Sequence, residues 1–310
     1  MATNSYSSLV NSTAAWNSAV RHFGITTVMN AKVYDIIEGK DITAFFTAVG
    51  KTAEQVYTLF GVDGSGNNPF VTRAGEQGSY TYAFNNENIK FSKLKVNEIV
   101  ALYLMTTPVT QLKYLKTANV TQEGPTKTVT GGQNASPLIK YGKTSRLEIQ
   151  DALGNAEAME ALMGTVTEYF RVNKATESTL ETGASDVIHA ASTFAGPKAI
   201  LGETFIIDSK TAAQVPCYII FYDFLPDSLF NLTQDAEGDA TVFDMNGDLI
   251  QTNILIGDNH FKHVAADPGA VPPVLEHDEA DEDGIVVGVF DSIIPKLDYA
   301  AKPLQIVKQD

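Results

Sequence analysis

The chain has 310 residues, 44% hydrophobic and 19% charged, with 37 acidic against 22 basic side chains and a formal net charge of −15. That balance gives enough apolar content for a packed core and too little charge for a disordered chain, so it predicts a globular protein of one or two domains. It argues against gripping nucleic acid, which needs clustered Lys and Arg. The longest apolar runs, Ile99 to Met105 and Ile219 to Leu225, fall far short of the ~20 residues of a membrane helix, so no membrane partner is expected.

In chain order, the amino terminus lacks a basic patch followed by an apolar core, so no secretory signal is read there and the mature chain is expected to start near Met1. Residues 1–110 read as an N-terminal extension of mixed structure. Within them "DITAFFTAVGKTAEQVYTLFG" carries helical spacing after a cap at Asp41 or Thr43, and "GVDGSGNNPF" (Gly61 to Phe70) is a dense turn signal. Tyr80, Tyr82 and Phe84 alternate with small residues in a strand expected to end at Asn85 and Asn86.

Residues 111–258 read as a β-rich core. Candidate strands are Lys113 to Thr121, Thr126 to Thr130, Lys140 to Gln150, Val166 to Val172, Thr204 to Asp208, Val215 to Phe224, Leu229 to Asp235 and Ala240 to Met245. In "TSRLEIQ", Leu147 and Ile149 alternate with Arg146, Glu148 and Gln150, the pattern of a strand with one buried and one wet face. The period changes at 151–163, where Ala152, Leu153, Ala156, Met159 and Leu162 share a helical face, with Asp151 as cap and Gly164 as stop. Residues 173–203, rich in small side chains, read as a long loop or insertion. A helix between strands predicts a mainly-β or α+β domain.

Residues 259–310 read as an acidic C-terminal extension, and from Gln234 onward there are 16 Asp and Glu against four Lys. The run Glu276 to Asp283 places seven acids or imidazoles in eight residues, but lacks the glycine and glutamate spacing of a calcium loop, as do Asp244 to Asp248 and Asp63 to Asn68. The stretch "IVVGVFDSIIPKL" that follows is apolar enough to dock back on the fold.

Motifs for chemistry fail on spacing. Gly50-Lys51-Thr52 and Gly142-Lys143-Thr144 resemble the end of a phosphate-binding loop, yet the required first glycine is Phe45 in one case and Pro137 in the other. His22, His189, His260, His263 and His277 form no zinc pattern, no G-x-S-x-G elbow occurs, and Cys217 in an apolar stretch reads as a small core residue. No catalytic, metal or cofactor residue is therefore assigned, and an enzyme is not expected.

Two segments are more specific. "LKTANVTQEGPTKTVTGGQNASPLIKYGKTSRLEIQDALGNAEAMEALMG" (Leu115 to Gly164) and "FLPDSLFNLTQDAEGDATVFD" (Phe224 to Asp244) resemble the tail tube, or major tail, proteins of tailed bacteriophages. The resemblance implies a β-sandwich or barrel with one flanking helix and no catalytic role. It implies hexameric rings whose sheets join into a continuous inner barrel, stacked into a tube through which DNA is ejected. Partners would be copies of itself, the tape measure, terminator and baseplate proteins and a sheath where one exists. DNA would pass without tight binding, and the location would be the virion tail after synthesis in the host cytoplasm. An acidic lumen would repel phosphate, and Thr126 to Gly132 with its neighbouring strands would mediate ring and stacking contacts, Gly131 and Gly132 letting an arm order on assembly. The alternative is another virion structural protein, a capsid decoration or tail-completion subunit. The chain departs from compact tube subunits in its long terminal segments.

Overall fold

The computed structural model describes residues 23–25, 28–61, 68–85, 87–112, 115–124, 126–128, 138–140, 142–151, 156–175, 180–190, 194–209, 212, 214–228, 243–256, 261–264, 277–280 and 285–296. From the amino end come β1 (Phe23–Ile25), β2 (Met29–Asp35), α1 (Ile42–Ala48), α2 (Ala53–Phe60), β3 (Val71–Ala74) and β4 (Thr81–Phe84). A 3-10 turn at Phe91–Lys93 leads to α3 (Val96–Leu104), β5 (Thr110–Leu112), β6 (Leu115–Glu123), β7 (Thr126–Thr128), β8 (Leu138–Lys140) and β9 (Thr144–Asp151). Next are α4 (Ala156–Met163), β10 (Thr165–Ala175), β11 (Leu180–Ala190), β12 (Lys198–Asp208), β13 (Gln214–Pro226) and β14 (Phe243–Leu249). The chain ends in β15 (Thr252–Ile256), β16 (Phe261–Val264), β17 (His277–Ala280), β18 (Ile285–Val289) and β19 (Asp291–Pro295). The architecture is mainly β, with antiparallel pairing in every strand pair given a register.

Two compact units share the chain. Residues 1–36 and 108–250 form the first, and residues 37–107 and 251–310 the second.

The first unit is built on a sheet of order β5-β2-β12-β13-β14-β9-β6, with β1 also on β12. At the ~4.8 Å spacing of neighbouring strands, a flat sheet of that order would hold its end strands roughly 29 Å apart. Yet Leu112 ends β5 and Leu115 begins β6, and three peptide units reach no more than about 11 Å. The sheet must therefore curl until its ends meet, and β2 and β6 do approach one another. The inside of the curl is lined by buried Leu147 and Ile149 of β9, Met245 and Leu249 of β14, and Phe224 of β13, with Ile149 opposite Met245 and Phe224 opposite Leu249. Gly247 of β14 admits no side chain, since a Cβ there would meet the Leu225 carbonyl oxygen, Pro226 Cα at 2.7 Å and the Phe224 ring at 2.8 Å. Helix α4 buries Ala158, Met159, Ala161, Leu162 and Met163, and it contacts β5 and β10.

Two expectations for this region change, and a third is untested. The helix spans Ala156–Met163, and Asp151, expected as its cap, is the last residue of β9. Residues 173–203 are not a loop throughout: they hold the end of β10, all of β11 and the start of β12, which lies between β2 and β13 in the sheet. Small residues fit strands whose place is set by their cross-strand neighbours, and Gly202 sits where a Cβ would collide with Val28. The proposed strand Leu229 to Asp235 lies outside the described residues.

In the second unit the expected single helix is two. Asp41 caps α1 by accepting the Ala44 N–H at 2.7 Å. Gly50, at φ 70°, then turns the chain, and Thr52 starts α2. Thr52 Oγ1 accepts the Gln55 N–H at 3.3 Å while Gln55 Oε1 accepts the Thr52 N–H at 3.0 Å, a reciprocal capping box. Phe46 of α1 lies at the centre of an aromatic cluster, 5.2 Å from Phe70, 6.3 Å from Phe60 and stacked on Phe84 of β4 at 5.5 Å. Buried Asn68 ties α2 to β3: its Nδ2 donates to the Gly61 carbonyl at 2.6 Å, and its Oδ1 accepts the Phe70 and Val71 N–H groups at 2.9 and 3.0 Å. The C-terminal part completes this unit. Leu255 of β15 donates its N–H to the Leu94 carbonyl at 2.9 Å, and α3 contacts both β15 and β19. Three of the four α-helices of the described residues thus lie here, and α4 alone belongs to the first unit.

Candidate assembly surfaces

In the curled sheet of the first unit, the long strand β6 has a free side among the described residues. Among the described residues β6 ladders only with β9, from Leu115 opposite Asp151 to Glu123 opposite Thr144. Residues 119–124 are exposed. Their sequence, Asn-Val-Thr-Gln-Glu-Gly, holds one charge and no proline, so it lacks the devices that usually blunt a sheet edge. Beyond Glu123 the pairing resumes with Thr126 opposite Lys140 and Thr128 opposite Leu138. The hairpin therefore runs on past the curled sheet, and Thr126 to Thr128 of the expected contact segment are strand; Val129 to Gly132 lie outside the described residues.

A second projection is the ribbon of β10 and β11, paired without a break from Thr165 opposite Ala190 to Ala175 opposite Leu180. At 11 residues per strand it extends about 37 Å. It forms a two-stranded sheet of its own, a form that is marginal in water without something packed on it. At its base Val166 is 47% exposed and Ile188 44%. The Glu168 carboxylate meets His189 Nε2 at 3.2 Å there, both groups wet.

The outward face of β9 and β14 is polar and acidic. Glu148 lies opposite Asn246, Arg146 opposite Asp248 and Gln150 opposite Asp244, and on the other side Asn119 of β6 faces Glu148. Gln150 Nε2 donates to Asp244 Oδ1 at 2.8 Å. Arg146 is shared: its guanidinium donates to both oxygens of Asp227 and to Asp248 Oδ1 at 3.3 Å. The bond to Asp227 leads the effects that push the guanidinium pKa further up, so the cation is permanent. One cation thus pins the end of β13 to β9 and β14, and the remaining carboxylates leave this face net negative. Asp223, on β13, has a buried Oδ1 without a partner among the described residues, and burial raises its pKa.

The residues considered for chemistry take structural places. Gly50 and Thr52 form the turn and cap of α2, and Gly142 and Lys143 precede β9. Asp244 to Asp248 are strand β14. Of the acidic run, His277–Ala280 form strand β17, paired with β16 so that His263 faces Asp278. Cys217 is fully buried, with its thiol pushed up to about 11 by burial. Among the described residues no three His, Cys, Asp or Glu converge as a metal site, and no helix is long and apolar enough to cross a membrane. His22, His260 and Asp63 lie outside the described residues. The alternation in "TSRLEIQ" announced the wet face, while the Arg146–Asp227 pair, 81 residues apart in sequence, had no local signal. Comparison with known proteins gives no match to any protein-family model and none to a curated protein.

Proposed function

We propose that the chain is a structural subunit of a bacteriophage tail tube, forming hexameric rings that stack around a lumen through which DNA passes. The observation that carries this reading is the free, exposed edge of β6 on a curled antiparallel sheet. Such an edge is a template for a strand of the next copy, and a closed ring of heterologous contacts satisfies every edge at once. The two tail-tube-like segments support it by position: they span β6 to α4 and reach from the end of β13 into β14, so they fall on the curled sheet and its helix. The β10–β11 ribbon suits a contact between rings, since it is a long two-stranded sheet of its own with Val166 and Ile188 exposed. The acidic outward face of β9 and β14 suits a wall that phosphates slide past. Residues 37–107 and 251–310 make up the second unit, while the first part of the amino-terminal addition supplies β1 and β2 to the curled sheet.

Negative-stain microscopy and sedimentation of the purified full chain test the reading. Rings or tubes of six-fold symmetry are expected, and Asn119→Lys is expected to leave the far-UV spectrum unchanged while cutting assembly at least ten-fold, because the lysine sits on the edge strand opposite Glu148. Monomers alone at high concentration would overturn the proposal. Closed rings that never stack would favour the capsid decoration or tail-completion alternative.

A further inference from the structure

The hairpin of β3 and β4 in the second unit carries a cation that no acid claims. Arg73 of β3 lies opposite Tyr82 of β4. Its guanidinium carbon sits 4.2 Å from the centre of the Tyr80 ring and 4.8 Å from that of Tyr57 on α2. Tyr82 links the two rings, 5.3 Å from Tyr57 and 6.5 Å from Tyr80. Among the described residues no carboxylate accepts from Arg73, although the chain holds 37 acidic against 22 basic side chains and Arg146 is shared by two acids. We propose that Arg73, Tyr80 and Tyr82 form a binding site for a carboxylate-bearing sugar chain, a uronate oligosaccharide.

Chemistry, rigidity and size support this ligand. A guanidinium stacked on aromatic faces keeps its N–H edge for a planar acceptor, and a carboxylate matches that fork with two parallel hydrogen bonds. The apolar C–H face of a sugar ring stacks on the electron-rich face of a tyrosine. Thr72 to Thr81 are exposed throughout, Tyr80 to 37%, so the site is an open platform; the anchoring side chain of a peptide would seek a pocket instead. The platform is held in place before any ligand arrives. Gly75 at φ 102° and Gly78 at φ 97° shape the hairpin tip, Ser79 donates its N–H to the Glu76 carbonyl at 2.9 Å, and Thr81 Oγ1 donates to the Ala74 carbonyl at 3.3 Å. A tyrosine spans roughly 150–250 Å², so the part-exposed cluster offers roughly a few hundred Å² at most, against about 800 Å² per partner in a stable protein interface.

Calorimetric titration of the full chain with hexagalacturonate tests it. Saturable binding with a Kd below about 1 mM is expected, and maltohexaose, a neutral hexasaccharide, is expected to bind about ten-fold more weakly or worse. Arg73→Lys keeps the charge but loses the fork and the stacking, and Tyr80→Leu keeps the apolar bulk but loses the ring. Each is expected to weaken binding by about ten-fold or more while the far-UV spectrum stays the same. Lys93→Gln removes a cation already paired with Glu87 at 2.7 Å, and is expected to bind as the unaltered chain does. The proposal is overturned if hexagalacturonate gives no saturable heat, if maltohexaose binds as tightly, or if either Arg73→Lys or Tyr80→Leu binds unchanged. Hexaglutamate binding as tightly as hexagalacturonate would overturn it too, since the site would then read an acidic peptide.

Discussion

Asp223 carries a buried Oδ1 with no partner among the described residues, and burial raises its pKa above the ordinary 3.8. Its ionised form is therefore worse off in the folded than in the unfolded chain. The sign follows by linkage: below the unfolded pKa both states hold the proton and nothing is lost, and stability falls as pH rises from there through the higher folded pKa. Asp223→Asn is expected to raise the thermal midpoint at pH 7, with the gain vanishing near pH 3; a midpoint unchanged at pH 7 would show that water reaches the carboxylate. Asn68 makes the opposite case, a buried amide whose donor and acceptor are both used. In sequence it closed a run resembling an ion-binding loop, and nothing local tells an amide aimed at an ion from one aimed at the chain's own N–H groups. Its partners, Gly61, Phe70 and Val71, are near in sequence but are brought together only by the end of α2 and the start of β3.

For single elements, the sequence patterns held where one local rule dominates. Strand β9 shows the alternation read from "TSRLEIQ", with Leu147 and Ile149 buried and Glu148 exposed. The first helices were legible in phase but not in number, because Gly50-Lys51-Thr52 is helical in average propensity while its glycine takes a φ of 70°. The Thr52 and Gln55 pair was the readable sign of a fresh start. Strand β11 and the first half of β12 escaped because the small residues of 173–203 carry little pattern, and β12 also takes its place beside β2, far away in sequence. Strand β14 supplies the test at this scale. Gly247→Ala places a methyl against backbone of Leu225 and Pro226, which cannot move aside as a side-chain end can. Chemical denaturation should show a loss of about 1–3 kcal/mol, the range for overpacking; a loss below about 0.5 kcal/mol would mean that the β13–β14 contact yields.

For the whole molecule, the notable arrangement is that each unit is discontinuous: residues 37–107 interrupt the first unit, and residues 251–310 return to complete the second. Composition foresaw one or two domains, and the sequence reading placed two extensions around a core. It had no means to see that residues 1–36 belong with the core while residues 37–107 belong with residues 251–310, because the latter link is the Leu255 to Leu94 hydrogen bond and the packing of β15 and β19 on α3. A chain ending at Ile250 lacks those strands. Limited proteolysis of that chain is expected to cut within residues 37–107 at least ten-fold faster than in the full protein, and equal resistance would show that the inserted residues fold unaided.

The same discontinuity sets a timetable for synthesis. Phe45, Phe46, Phe60 and Phe70 leave the ribosome long before β15 to β19 exist. At ~5–20 residues per second the delay between Thr107 and Gln251 is roughly 7–30 s. Through that interval an aromatic cluster waits for its lid, and a cell making many copies must supply either chaperone capacity or slow encounter between nascent chains.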